Sequence, residues 1–106
     1  MATHLKELTE KDFEKLLKEK GSGVVEFGAA WCGACKVTEP ILAGISKKYE
    51  NLKFFKIDVN GDSKLAAKMG VMSLPNIFFI KEGKIVEQVI GVASEKEFEA
   101  KIKKNF

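Results

Sequence analysis

The residues best suited to chemistry are two cysteines three positions apart, in Trp31-Cys32-Gly33-Ala34-Cys35-Lys36. They are the only cysteines in a chain of 106 residues. Two thiols cannot supply the four ligands of a structural zinc site. The single histidine, His4, is far away in sequence and reads as a solvent-exposed residue, so no metal site is expected. Haem attachment needs a histidine directly after the second cysteine, and Lys36 stands there. What the spacing does permit is a disulfide. Positions i and i+3 on a helical turn bring two Cα atoms roughly 5 Å apart, inside the disulfide window.

The reactivity of such a pair depends on the elements that hold it. Val24-Val25-Glu26-Phe27 is a short apolar run and reads as a buried strand. A helix from about Cys32 to Tyr49 follows, with Pro40 inside it as an expected kink. Cys32 then falls at the first turn, where unpaired N–H groups and the helix dipole stabilise an anion. A thiolate in that position has a lowered pKa and is nucleophilic near neutral pH. Cys35, one turn deeper, is shielded. The asymmetry suits a two-step exchange, in which Cys32 attacks a disulfide and Cys35 resolves the mixed disulfide. Two core cysteines that merely lie close together are the alternative reading of the bare pair.

The remaining elements are short and joined by turns. Thr9 reads as the N-cap of a first helix carrying Phe13, Leu16 and Leu17, ended by Gly21-Ser22-Gly23. Lys53 to Val59 is a strand with Phe55, Ile57 and Val59 on one face and Phe54, Lys56 and Asp58 on the other. Asn60-Gly61-Asp62 is a turn, and Ser63 to Met69 a short helix closed by Gly70. Ile77 to Ile80 and Ile85 to Ile90 form a hairpin around Lys81-Glu82-Gly83-Lys84. Ser94-Glu95-Lys96-Glu97 is a capping box that starts the last helix, with Phe98 and Ile102 on its apolar stripe. The order is strand or turn, helix, strand, helix, strand, helix, strand, strand, helix. It implies an α/β fold: a central mixed β-sheet flanked by helices on both faces, as a single domain over residues 1–106.

Composition narrows the function classes. All 18 basic residues are lysine, mixed with 15 acids, and the net charge is only +3. Sequence-specific nucleic-acid readers rely on the planar fork of arginine, so no nucleic-acid partner is expected. No apolar run approaches the ~20 residues that span a bilayer. The N-terminus shows no basic segment followed by an apolar stretch, which places the chain in the cytoplasm, where thiols are kept reduced.

Val24-Val25-Glu26-Phe27, Trp31 to Lys36, Pro40, Lys56, Leu74-Pro75 and Gly91 occur in the order and spacing of the thioredoxin family. The chain resembles a thioredoxin over nearly its whole length. The resemblance implies a thioredoxin-like fold and reversible dithiol–disulfide exchange, with Cys32 and Cys35 as the redox disulfide and no bound cofactor. The implied partners are disulfide-containing target proteins and a thioredoxin reductase, fed by NADPH or by ferredoxin. A monomer is the default state. Glu26 matches the family's buried acid, which accepts a proton from the second cysteine, and Lys56 matches the lysine that pairs with it. Leu74-Pro75 matches a cis peptide beside the cysteines. Trp31, Gly33, Ala34, Ser73, Leu74, Pro75, Gly91 and Val92 would form a shallow groove that reads substrate backbone, with Met72 adding contact surface.

Four positions depart from the usual family pattern, among them Asn76 after the proline, where threonine is usual. Ala34 replaces a proline and restores a backbone N–H that could stabilise the Cys32 thiolate, making the disulfide more oxidising. Glu26 is one methylene longer than the usual aspartate. Gly28 stands where many members carry tryptophan, leaving a gap beside the active helix. The competing functions are a disulfide oxidase or isomerase on the same fold, and a non-catalytic docking subunit.

Overall fold

The computed structural model describes residues 5–61 and 63–106. His4 and Asp62, to which the sequence assigned exposure and a turn, lie outside the described residues. Nine elements follow the expected order: β1 (Lys6–Glu7), α1 (Glu10–Lys18), β2 (Gly23–Gly28), α2 (Gly33–Ser46), β3 (Phe54–Asp58), α3 (Ser63–Lys68), β4 (Asn76–Lys81), β5 (Lys84–Ile90) and α4 (Glu95–Asn105). The sheet order is β1-β3-β2-β4-β5. β1, β3 and β2 run parallel, whereas β4 is antiparallel to both β2 and β5. The opening "strand or turn" is a strand of two residues on the sheet edge, paired with Phe55 and Lys56.

β2 is the middle strand and all six of its residues are buried. Period-two alternation therefore sends its side chains into two separate cores. Val24 joins Leu42, Ile45, Phe54, Ile77, Phe79, Phe98 and Ile102 beneath α2 and α4. Val25 and Phe27 join Phe13, Phe55, Ile57, Leu65, Phe78 and Ile80 beneath α1 and α3. Glu26 has the parity of Val24, so it points into the layer under α2. Lys56 has the parity of Phe54 and points the same way. The register pairs Glu26 with Lys56 on one side and Ile77 on the other.

Local chemistry sets the boundaries. Thr9 and Ser94 cap their helices through reciprocal boxes with Asp12 and Glu97. The first helix stops earlier than the expected glycine cluster: Glu19 is its C-cap and Lys20 turns the chain at φ 56°. Gly23, expected in that terminator, instead opens β2. The β4–β5 turn has positive φ at both Glu82 and Gly83, the two-residue form that matches strand twist. α2 continues through Pro40, which removes one backbone donor without ending the helix.

Candidate active site

The cysteine pair sits where the central strand hands over to α2. Cys32 is the N-cap of that helix, with extended backbone, and Cys35 is its third residue. An N-cap side chain accepts from the N–H of the second or third helical residue. Here the acceptor is sulfur: the Cys35 N–H donates to Cys32 Sγ at 3.1 Å. The two Cα atoms are 5.3 Å apart and the cysteines are disulfide-bonded, as the i, i+3 spacing permits. Cys32 retains 7% exposure and Cys35 has none. The donor to Cys32 Sγ belongs to Cys35, whereas the Ala34 departure had suggested the N–H of residue 34.

Three loops frame the pair. Ala29, Ala34, Val59 and Leu74 pack against the two cysteines. The Leu74–Pro75 peptide is cis, and Pro75 is buried at the start of β4. The Gly91 N–H donates to the Pro75 carbonyl at 2.8 Å, which ties the end of β5 to the proline loop. Gly91 holds φ at 88°, where a side chain would be strained. Trp31 is 68% exposed, and its Nε1–H donates to Asn60 Oδ1 at 3.2 Å. Gly33, Met72, Ser73 and Val92 are exposed around this rim. The result is an open surface with apolar side chains and little polar decoration.

Beneath the pair lies the acid. Glu26 is completely buried and neither carboxyl oxygen has a hydrogen-bond donor. The Gly28 departure explains how the longer side chain fits. A Cβ at residue 28 would lie 2.7 Å from Glu26 Oε2 and 3.1 Å from Cys35 Sγ. The acid and the inner sulfur therefore border the same small space, which glycine leaves open. Burial pushes the Glu26 carboxyl up to about 8, with the negative charge of Glu39 adding to the rise and Lys56 opposing it. No donor reaches the carboxyl, as suits a neutral acid.

Lys56 does not pair with Glu26 as expected. Its Nζ lies 3.8 Å from Glu39 Oε1. Glu39 keeps 19% side-chain exposure, so the ammonium stays beside the wetter carboxylate rather than following the buried one. An open cleft of about 350 Å³ runs beside these groups, lined by Glu26, Gly28, Lys36, Glu39, Lys56 and Asp58 among others. Glu39 and Asn60 are the site residues that the sequence reading missed. Glu39 had a legible signal: it stands four residues after Cys35 on one helix, and so on the same face. Asn60 had none beyond its place in a turn. Among the described residues no group of His, Cys, Asp and Glu could hold a metal ion, and no helix is long and apolar enough to cross a membrane.

The arrangement combines a bonded cysteine pair at a helix N-terminus, a cis-proline loop and a buried acid. The family model for Thioredoxin matches residues 4–104. The chain belongs to the thioredoxin family. It is similar to thioredoxin H1 of Arabidopsis thaliana, at 33% identity over 99% of this chain and 91% of that protein. It is also similar to thioredoxin Asp f 29 of Aspergillus fumigatus, at 36% identity over 97% and 96% of the two chains. The crystal structure of thioredoxin NaTrxh from Nicotiana alata superimposes with a TM-score of 0.84 at 35% identity, covering 98% of this chain and 94% of that one. The fold is thus thioredoxin-like, and the activity is that of a thiol–disulfide oxidoreductase that reduces protein disulfides. Reductases and disulfide-bearing targets are the partner classes with which the family works.

Proposed function

We propose that the chain is a single-domain, monomeric electron carrier of a reducing compartment, the cytoplasm, recharged by a thioredoxin reductase. Cys32 is the attacking thiol. It is the more exposed sulfur, and the N-terminus of α2 stabilises its thiolate. It attacks a target disulfide, one target sulfur leaves as thiolate, and a mixed disulfide forms. Cys35 then loses its proton to Glu26, attacks Cys32 Sγ, and the bond between Cys32 and the target breaks. The target leaves reduced, with two electrons, and the cysteines are left as the disulfide.

Glu26 serves as the proton acceptor, with Lys56 tempering the charge around it. The observation that supports this reading is the small space at Gly28, which the buried carboxyl and Cys35 Sγ both border. Trp31, Gly33, Ala34, Ser73, Leu74, Pro75, Gly91 and Val92 are the docking surface. Their sparse polar groups favour an extended target strand read through backbone. The pair is itself the redox group, so no bound cofactor enters the cycle. A test is reduction of a disulfide-bonded protein substrate by the chain, with electrons from NADPH and its reductase or from a ferredoxin-dependent reductase. Turnover with one of them is expected. Loss of turnover in Cys32→Ser, with accumulation of the mixed disulfide in Cys35→Ser, fixes the order of attack. The reverse pattern would contradict it.

A further inference from the structure

A buried acid that takes a proton in every cycle must also lose it, and Glu26 has no contact with water of its own. Its carboxyl oxygens have no partner, and the residue lines the cleft beside β3. The titratable groups facing that cleft are Glu7 from β1, Lys36 and Glu39 from α2, and Lys56 and Asp58 from β3. Of the elements packed on Glu26, β4 presents only the apolar Ile77 across the register. Of these, Glu39 lines the same cleft as Glu26 and is partly exposed, its negative charge acts on the Glu26 carboxyl, and Lys56 Nζ lies 3.8 Å from its Oε1. The cation therefore holds Glu39 at the junction between the buried acid and solvent.

We propose that Glu39 and Glu26 form one proton-sharing carboxyl pair, through which the Cys35 proton reaches solvent by way of the cleft. This rests on the reading of Glu26 as the proton acceptor. The step balances simply. The Cys35 S–H bond breaks and its proton binds the Glu26 carboxylate, while the sulfur electron pair forms the new bond to Cys32. Glu26 then passes its proton to the Glu39 carboxylate, and Glu39 releases it to water. Lys56 offsets the charge of the pair when both carboxyls are ionised. Glu39 is a positioning residue, since it acts through Glu26 and touches neither sulfur's partner nor substrate. Two close carboxyls titrate as a pair, so removing one changes the titration of the other.

The test follows Glu26 in the oxidised protein by carboxyl NMR. It also follows the resolution step in the reduced protein with a chromogenic aryl disulfide. The first equivalent of aryl thiolate reports the mixed disulfide and the second reports attack by Cys35. In Glu39→Gln the Glu26 titration is expected to move down by about one unit, a tenfold change in its proton equilibrium. The pH midpoint of the second phase should move with it, while the first phase stays unchanged. Glu39→Asp should recover part of both shifts, which a merely structural role would not do. An unmoved Glu26 titration in Glu39→Gln would overturn the pair. A moved titration with an unmoved second phase would overturn the relay. Glu26→Gln separates the underlying reading: if it leaves the second phase intact, Glu26 is not the acceptor, whatever Glu39 does.

Discussion

The two faces of the sheet are built from alternate residues of the same strands, and they are satisfied to different degrees. The face under α1 and α3 is closed. Phe27 sits edge-on to Phe13 with centroids 5.8 Å apart and tilted against Phe78 at 5.2 Å. Its buried polar residue, Asn76, accepts from Gln88 Nε2 at 2.8 Å. The face under α2 and α4 is apolar toward the start of β2 but not toward its end. There it buries Glu26 without a donor, and Thr38 Oγ1 in α2 likewise has none. One face leaves its buried polar side chain partnered. The other gives up stability at the end that carries the sulfurs. A carboxyl kept dry titrates near neutrality, where an ordinary one is of little use as a base.

The largest expected effect tests that concession. Between pH ~4.5 and pH ~8 the folded chain holds a proton on Glu26 that the unfolded chain has lost. The unfolded state binds fewer protons in that window, so stability falls as pH rises through it. The full difference is roughly 4–5 kcal/mol. Glu26→Gln removes it, so denaturant unfolding should show the variant gaining on the parent as pH rises, and slower resolution of the mixed disulfide. A stability difference that is flat with pH would mean that Glu26 is not held neutral.

Phe27→Ala breaks the opposite face. It should cost about 3–5 kcal/mol by cavity formation. Rate constants for exchange, measured on the folded fraction, should be unchanged. If exchange slows as well, the two faces are coupled and the division fails.

Gly28→Ala sharpens the comparison at the boundary. Its Cβ would crowd the Glu26 carboxyl end and Cys35 Sγ. The carboxyl is the flexible partner and must move. We expect a stability cost of about 1 kcal/mol and a changed Glu26 titration, read by carboxyl NMR. The smallest effect is expected from Ala34→Pro. Proline is tolerated in the first helical turn, and the donor seen at Cys32 Sγ comes from Cys35, not from residue 34. The potential should fall by no more than about 30 mV, equivalent to about 1.4 kcal/mol. No change, or a rise, would refute stabilisation of the thiolate by the restored N–H.

The elements that position the site were legible because they depend on local rules. Thr9 and Ser94 were readable as caps, Gly70 as a terminator and Glu82-Gly83 as a turn. The i, i+3 cysteines needed only helix geometry. The cis state of Leu74–Pro75 came from family resemblance, since proline chemistry by itself favours trans. What stayed hidden depends on three-dimensional closeness. Lys56 looked like the partner of Glu26 because both face one layer in register. Which carboxylate it prefers depends on how wet each one is, and that is decided by α2 packing over β2. Glu26 and Gly28 read as two unrelated departures, yet the longer acid occupies the room that the missing side chain leaves. α1 ends at Lys18, short of the glycine cluster, because hydrogen bonds from Lys20 and Gly21 back to Leu17 and Leu16 close the helix first.

This pair donates electrons to protein disulfides. The most direct measurement is the reduction potential of Cys32/Cys35, by equilibration against a dithiol buffer and thiol trapping. The expected value is near that of thioredoxins, about −270 mV. A value between about −180 and −120 mV, the range of isomerases and periplasmic oxidases, would contradict it and make the chain an oxidant of the same fold.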